Sequence, residues 1–219
     1  MKQSRPTVLT ALVLSFVSLA TPAPDVEAIP VGPVCTAYPG YDGTIAGPFI
    51  VVADSTGGEE DGIAVNAQYY VEHGHPWGYV TAPAGATTNL TMRCANSTLQ
   101  ALVTLTDPNA NANATAEAQW VDVVVSGDPN LEGGLGFAFP GEDAYPSIQV
   151  EPYWHFVDGK QVPGVYLGAR GVTTFGFVDN WAGVAGEYYL LRLMATDLGF
   201  GKWELGDRDT TGFLRITYA

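Results

Sequence analysis

Short stretches of alternating apolar and polar residues, bounded by Gly, Pro, Asn and Asp, recur from about residue 49 to the end of the chain. A period of two predicts β-strands, because successive side chains of a strand point to opposite faces. The pattern places strands over residues 49–54, 63–71, 77–81, 88–93, 99–106, 119–126, 135–139, 148–157, 172–179, 187–195 and 212–218. No amphipathic helix follows the N-terminal segment. Many short strands with turn signals between them predict an all-β fold, an antiparallel β-sandwich or related barrel in a single domain with one disulfide.

The alternation also sorts faces. Over residues 88–94 it puts Leu90, Met92 and Cys94 on one side and Asn89, Thr91 and Arg93 on the other. Over residues 148–157 it assigns Ile148, Val150, Trp154 and Phe156 to the core. Gln149, Glu151, Tyr153 and His155 then fall on an outer face. Asp158-Gly159 supplies the positive φ values of a tight hairpin turn, so the strand ending near Val157 should double back there.

The N-terminus has a different character. Lys2 and Arg5 precede a run of mainly apolar residues over 8–20, and Ser18-Leu19-Ala20 offers small residues at a cleavage site. This is the shape of a secretory signal peptide, and the run falls short of the roughly 20 residues that cross a bilayer. The sequence therefore divides into a signal peptide (1–20), a Pro-rich extended leader (21–46) and a β-sandwich domain (47–219). The expected location is secreted, extracellular or cell wall, with no membrane span.

Secretion changes the reading of two further features. Cys35 and Cys94 are the only cysteines, and an even pair in an oxidising compartment is expected to be a structural disulfide. Asn89-Leu90-Thr91, Asn96-Ser97-Thr98 and Asn113-Ala114-Thr115 are N-glycosylation sequons. Asn89 on the outward face and Cys94 on the inward face of one strand are mutually consistent.

The formal net charge is −14, and loss of Lys2 and Arg5 with the signal peptide makes it more negative. Such a chain repels nucleic acid and anionic lipid. Candidate chemistry is sparse. His73 and His75 stand two apart, as metal ligands on one strand would, but no carboxylate follows before Asp107 to complete a shell. Tyr153, His155 and Glu151, with Trp120 and Trp77, are candidates for a carbohydrate-binding surface of aromatic and polar groups. No nucleophile elbow, P-loop or dinucleotide fingerprint occurs, and no cofactor is implied.

Several stretches resemble secreted fungal cell-wall proteins of the IgE-binding or phialide-associated family. Pro48-Phe49-Ile50-Val51-Val52-Ala53 and Val65-Asn66-Ala67 are similar to that family's opening. Gln119-Trp120-Val121-Asp122-Val123, with Gly127 and Gly134-Leu135-Gly136-Phe137, is similar to its centre. Thr174-Phe175-Gly176-Phe177 and Tyr188-Tyr189-Leu190-Leu191 are similar to its C-terminal hairpin. Cysteines that the family carries near residues 177–180 and 209–213 are absent here together. The resemblance implies association with the wall of growing or sporulating fungal cells, and it supplies no catalytic residues. The expected function is a non-catalytic secreted glycoprotein. Its alternatives are a lectin-like module recognising cell-wall polysaccharide and, behind that, a glycoside hydrolase or lyase using scattered carboxylates.

Overall fold

The computed structural model describes residues 25–32, 34–72, 75–83, 89–105, 117–127, 133–139, 146–182, 186–194 and 204–218. The expected signal peptide, His73 and Asn113 lie outside the described residues. The described chain is almost all strand: β1 (Val26–Pro30), β2 (Ala46–Asp54), β3 (Asn66–Glu72), β4 (His75–Pro83), β5 (Met92–Ala95), β6 (Thr98–Leu105), β7 (Glu117–Ser126), β8 (Leu135–Ala138), β9 (Ser147–Gln149), β10 (Glu151–Val157), β11 (Lys160–Gly168), β12 (Phe175–Ala182), β13 (Gly186–Leu193) and β14 (Thr210–Tyr218). One 3-10 turn, Cys35–Ala37, interrupts them.

Nine of these strands close into an antiparallel barrel in the order β14-β12-β13-β4-β8-β7-β6-β5-β2 and back to β14. The sequence left sandwich and barrel open; closure decides for the barrel. The joint is long. Phe213–Tyr218 of β14 run against Asp54–Phe49 of β2, while Gly212–Thr210 pair with β12 and Arg215–Ile216 with β11. At β4, Thr81 pairs with Asn66 and Leu190, and Tyr79 with Gln68 and Gly136. β13 and β8 therefore lie end to end along the β4 edge opposite β3, and a Gly134–Arg192 bridge joins them.

Alternation fills the interior. Phe49, Val51 and Ala53 enter from β2, Met92 and Cys94 from β5, and Leu99, Ala101 and Val103 from β6. Val121, Val123 and Val125 follow from β7, Phe175 and Phe177 from β12, Leu191 and Leu193 from β13, and Leu214 and Ile216 from β14. All are buried. Each large aliphatic or aromatic side chain so placed contributes about 1.5–3 kcal/mol relative to exposure. Leu90, Met92 and Cys94 point inward as the alternation requires, and Asn89 is exposed.

Within the leader, Val26–Pro30 forms β1, an edge strand paired with Val157–Tyr153 of β10. One feature departs from the expectation. The faces assigned over residues 148–157 are inverted beyond Val150: Tyr153 and His155 are 0% and 2% exposed, whereas Trp154 is 39% exposed. A single period of two was carried across two strands. β9 ends at Gln149 and pairs with β7, whereas β10 begins at Glu151 and pairs with β1 and β11. The break at Val150 resets the phase. β11 (Lys160–Gly168) lies outside the expected strands because Pro163 and Gly164 interrupt its alternation. Its start was legible, because Asp158 (φ 50°) and Gly159 (φ 70°) form the expected hairpin turn.

The disulfide is present. Cys35 and Cys94 are bonded across a Cα–Cα distance of 5.3 Å, tying the leader to β5. Tyr38, three residues on, stacks on the core ring of Phe49 at 5.7 Å. The bridge closes a separation of 59 residues, which in chain-entropy terms stabilises the fold by roughly 4 kcal/mol. Cys35→Ser with Cys94→Ser should lower the unfolding free energy by about that amount in denaturant titrations, and the wild-type protein should show no thiol to Ellman's reagent. Two titratable thiols in the native protein would contradict the assignment.

Candidate functional site

Three of the expected site residues, Glu151, Tyr153 and His155, are brought together on β10, but in a covered cluster. Residues 169–174 connect β11 to β12 as a strap that leaves the sheet. Arg170 (φ 49°) and Gly171 (φ 84°) turn the chain, with Ala169 and Val172 bridged across the turn. The strap folds back on β10. Gly171 N–H donates to the Tyr153 hydroxyl oxygen at 2.7 Å, and the Tyr153 O–H donates to Glu151 Oε2 at 2.8 Å. His155 Nε2 sits 2.9 Å from Thr173 Oγ1. Gly168 is required beneath this strap. A Cβ there would collide with the Val172 carbonyl oxygen and lie 2.8 Å from Thr173 Cγ2 and 3.0 Å from Tyr153 Cε2.

The other side of the cluster comes from β11, β14 and β2. The His155 ring stacks on Tyr166 with centroids 3.7 Å apart, and Phe213 meets it edge-on at 4.6 Å. Tyr166 O–H donates to Asp54 Oδ2 at 3.2 Å, and Arg215 Nε donates to the same oxygen at 2.8 Å. The bulge opposite Trp154 makes room for the arginine. Tyr153 pairs with Tyr166 and His155 with Val162, so Pro163, Gly164 and Val165 oppose one residue. Gly164 (φ 122°) brings its Cα under Arg215, whose Cδ is 3.0 Å from where a Cβ would be. Asp54, Tyr166, Thr173 and Arg215 have no motif in the sequence; only the closure of the barrel assembles them.

Burial governs the titration of this cluster. It drives the His155 pKa down from 6.5 to about 4, against the opposing charge of Asp54. Burial pushes Tyr153 up to about 12; the Gly171 N–H opposes that shift, and Glu151 reinforces it. Tyr166 is likewise pushed up to about 12, first by burial and then by Asp54, with Arg215 opposing. The imidazole is neutral at pH 7 and enclosed by partners within the fold, so it serves as packing. Tyr153 and His155 are therefore removed from the sugar-binding surface that the alternation had assigned them.

The other candidates are dispersed. His75 and Trp77 lie on β4, opposite Glu72 and Tyr70 of β3. Trp120 lies on β7 in register with Leu102 of β6, on the outer face of the barrel wall. The Arg93 guanidinium sits 4.1 Å from the Trp120 ring centroid, a cation–π contact. Beside it runs a bonded polar row: Arg93 Nε donates to Gln100 Oε1 (2.9 Å), Gln100 Nε2 to Asp122 Oδ1 (2.9 Å), and Thr98 Oγ1 to Asp122 Oδ1 (3.0 Å). The β5–β6 hairpin that carries these residues turns at Asn96 (φ 53°) and Ser97 (φ 63°), both exposed. No group of three or more His, Cys, Asp or Glu residues among the described residues is disposed to hold a metal ion. No protein-family model matches the chain, and no curated protein matches it.

The His155 geometry fixes a pH dependence and its sign. The unfolded chain takes up a proton near pH 6.5 that the folded chain refuses until about pH 4. The stability from this group is thus complete above pH 6.5 and is lost as pH falls from 6.5 towards 4, by roughly 2–3 kcal/mol. Denaturant melts at half-unit pH steps should show this decline, and His155→Gln should flatten it. Equal slopes in both proteins would contradict the burial of a neutral imidazole.

Proposed function

We propose that the protein is a secreted, N-glycosylated, non-catalytic β-barrel protein held at or released from a fungal cell surface. The observation that carries this reading is the placement of the two described sequons. Asn89 is exposed on the approach to β5, and Asn96 is exposed at the tip of the β5–β6 turn. The Cys35–Cys94 bond supports passage through an oxidising compartment. The non-catalytic part draws support from the fate of the strongly shifted groups. Tyr153, His155 and Tyr166 are satisfied by one another and by Glu151, Thr173 and Asp54. The cell-surface part rests on the resemblance carried by residues 48–53, 119–123 and 174–177.

Recognition of cell-wall polysaccharide is the second reading. It is favoured by exposed tryptophans on separate strands: Trp181, 67% exposed at the end of β12, and Trp154 beside Ile29 on the outer layer.

Expression of the full chain in a secreting fungal host, followed by peptide-N-glycosidase treatment, tests the leading reading. The secreted protein should lose mass in steps of one N-glycan, with deamidation marking Asn89 and Asn96. An unchanged mass, or retention of the chain inside the cell, would overturn it. Co-sedimentation with glucan, chitin or mannan at saturating polysaccharide should leave the protein in solution; capture abolished by Trp181→Ala would favour the second reading.

A further inference from the structure

The glycoprotein reading has a consequence for one face of the barrel. The two described sequons flank β5: Asn89 precedes it and Asn96 is in the β5–β6 turn. The outward side chains between them form a short cross-strand row. Leu102 N–H donates to the Thr91 carbonyl, and Leu102 pairs with Trp120, so Thr91, just before β5, lines up with Leu102 of β6 and Trp120 of β7. Asn89 is two residues upstream of Thr91, on the same side by alternation and exposed. Leu102 is 36% exposed and Trp120 half-buried. Arg93 is held in place by Gln100 and by the Trp120 ring. Leu102 and the half-buried Trp120 thus form a small apolar patch on an outer wall, with the Arg93 guanidinium lying over one face of the Trp120 ring.

We infer that the N-glycan of Asn89 lies over Leu102 and Trp120 and is the resident occupant of this face. The inference rests on the glycoprotein reading. A pyranose ring has an apolar C–H face that packs on aliphatic and aromatic surface. Its hydroxyl and acetamido oxygens accept hydrogen bonds of the kind that the Arg93 N–H groups not engaged by Gln100 can donate. The tether decides between occupants. A sugar attached one row away is present at an effective concentration of the order of millimolar or more, which a free saccharide or a second copy of the chain must exceed. The glycan therefore acts as a shield that removes the patch from solvent and stabilises the β5–β6–β7 wall.

The test is a double-mutant cycle on the full secreted chain: wild type, Asn89→Gln, Trp120→Ala and the double variant, with Asn89 occupancy read by peptide mass spectrometry and Tm by calorimetry. Asn89→Gln should lower Tm by about 2–4 °C in the wild-type background. It should have no further effect once Trp120 is truncated. If Trp120→Ala is not secreted, Leu102→Ser takes its place in the cycle with the same expectation. An occupied Asn89 with additive Tm changes would overturn the inference while leaving the glycoprotein reading intact, and would leave the face to a free saccharide or a second copy. An unoccupied Asn89 would overturn the inference. Only an unmodified Asn96 and Asn113 in addition would overturn the glycoprotein reading.

Discussion

The pairing of β14 with β2 is the constraint from which the rest of the structure follows. Six consecutive residues, Phe213–Tyr218, run against Asp54–Phe49, joining segments some 160 residues apart. Without this seam the strands form an open sheet with two long edges, and such edges expose unpaired backbone groups that invite aggregation. With it, Phe49, Val51, Leu214 and Ile216 converge on one interior. The same strand organises the outer layer. Its other pairings seat β12 and β11, and β11 carries β10 and β1. Alternation then divides β14 between two tasks. Leu214 and Ile216 enter the barrel core, while Phe213 and Arg215 enter the cluster around His155.

That cluster is polar in composition and structural in effect. Asp54 receives both Tyr166 and Arg215, and so bonds β2 to β11 and β14. His155 spends its ring on Tyr166 and its Nε2 on Thr173, so the strap after β11 is latched to β10. Buried polar groups are tolerable when every partner is supplied, and costly when one is removed. The outer wall of β5–β7 poses the opposite problem, a small apolar patch facing water beside the sequons at Asn89 and Asn96. One surface is covered by the chain itself, and the other, on our account, by what the chain carries.

The barrel wall was legible in the sequence to the extent that it alternates. β6 and β14 show a period of two with one buried face, whereas β2, β7 and β13 carry runs of three buried residues at Val51–Ala53, Val123–Val125 and Leu191–Leu193 in which alternation alone does not mark the core. The Asp158-Gly159 turn and the disulfide were legible for local reasons: one from the positive φ values that Asp-Gly supplies, the other from a single even pair of cysteines. Three things were not. β1 hides in a Pro-rich segment whose only structural instruction is the open edge of β10. β11 carries a bulge at Pro163–Val165 that breaks its period. The phase of β10 depends on a strand break at Val150, where a polar-apolar string alone gives no signal. The error with Tyr153 and His155 follows from that last point. An aromatic next to a histidine on an apparently solvated face reads as a binding surface, and a second sheet layer that covers it is visible only in three dimensions.

Native-state hydrogen–deuterium exchange tests the closed barrel most directly. The hydrogen-bonded amides of residues 213–218 and 49–54 should exchange only through global unfolding, at the rate shared by the β6–β7 pair, and lose protection together with it as denaturant is added. Exchange of the 213–218 amides through a separate, lower-energy opening, with β6 and β7 still protected, would show that the seam is not what holds the barrel shut.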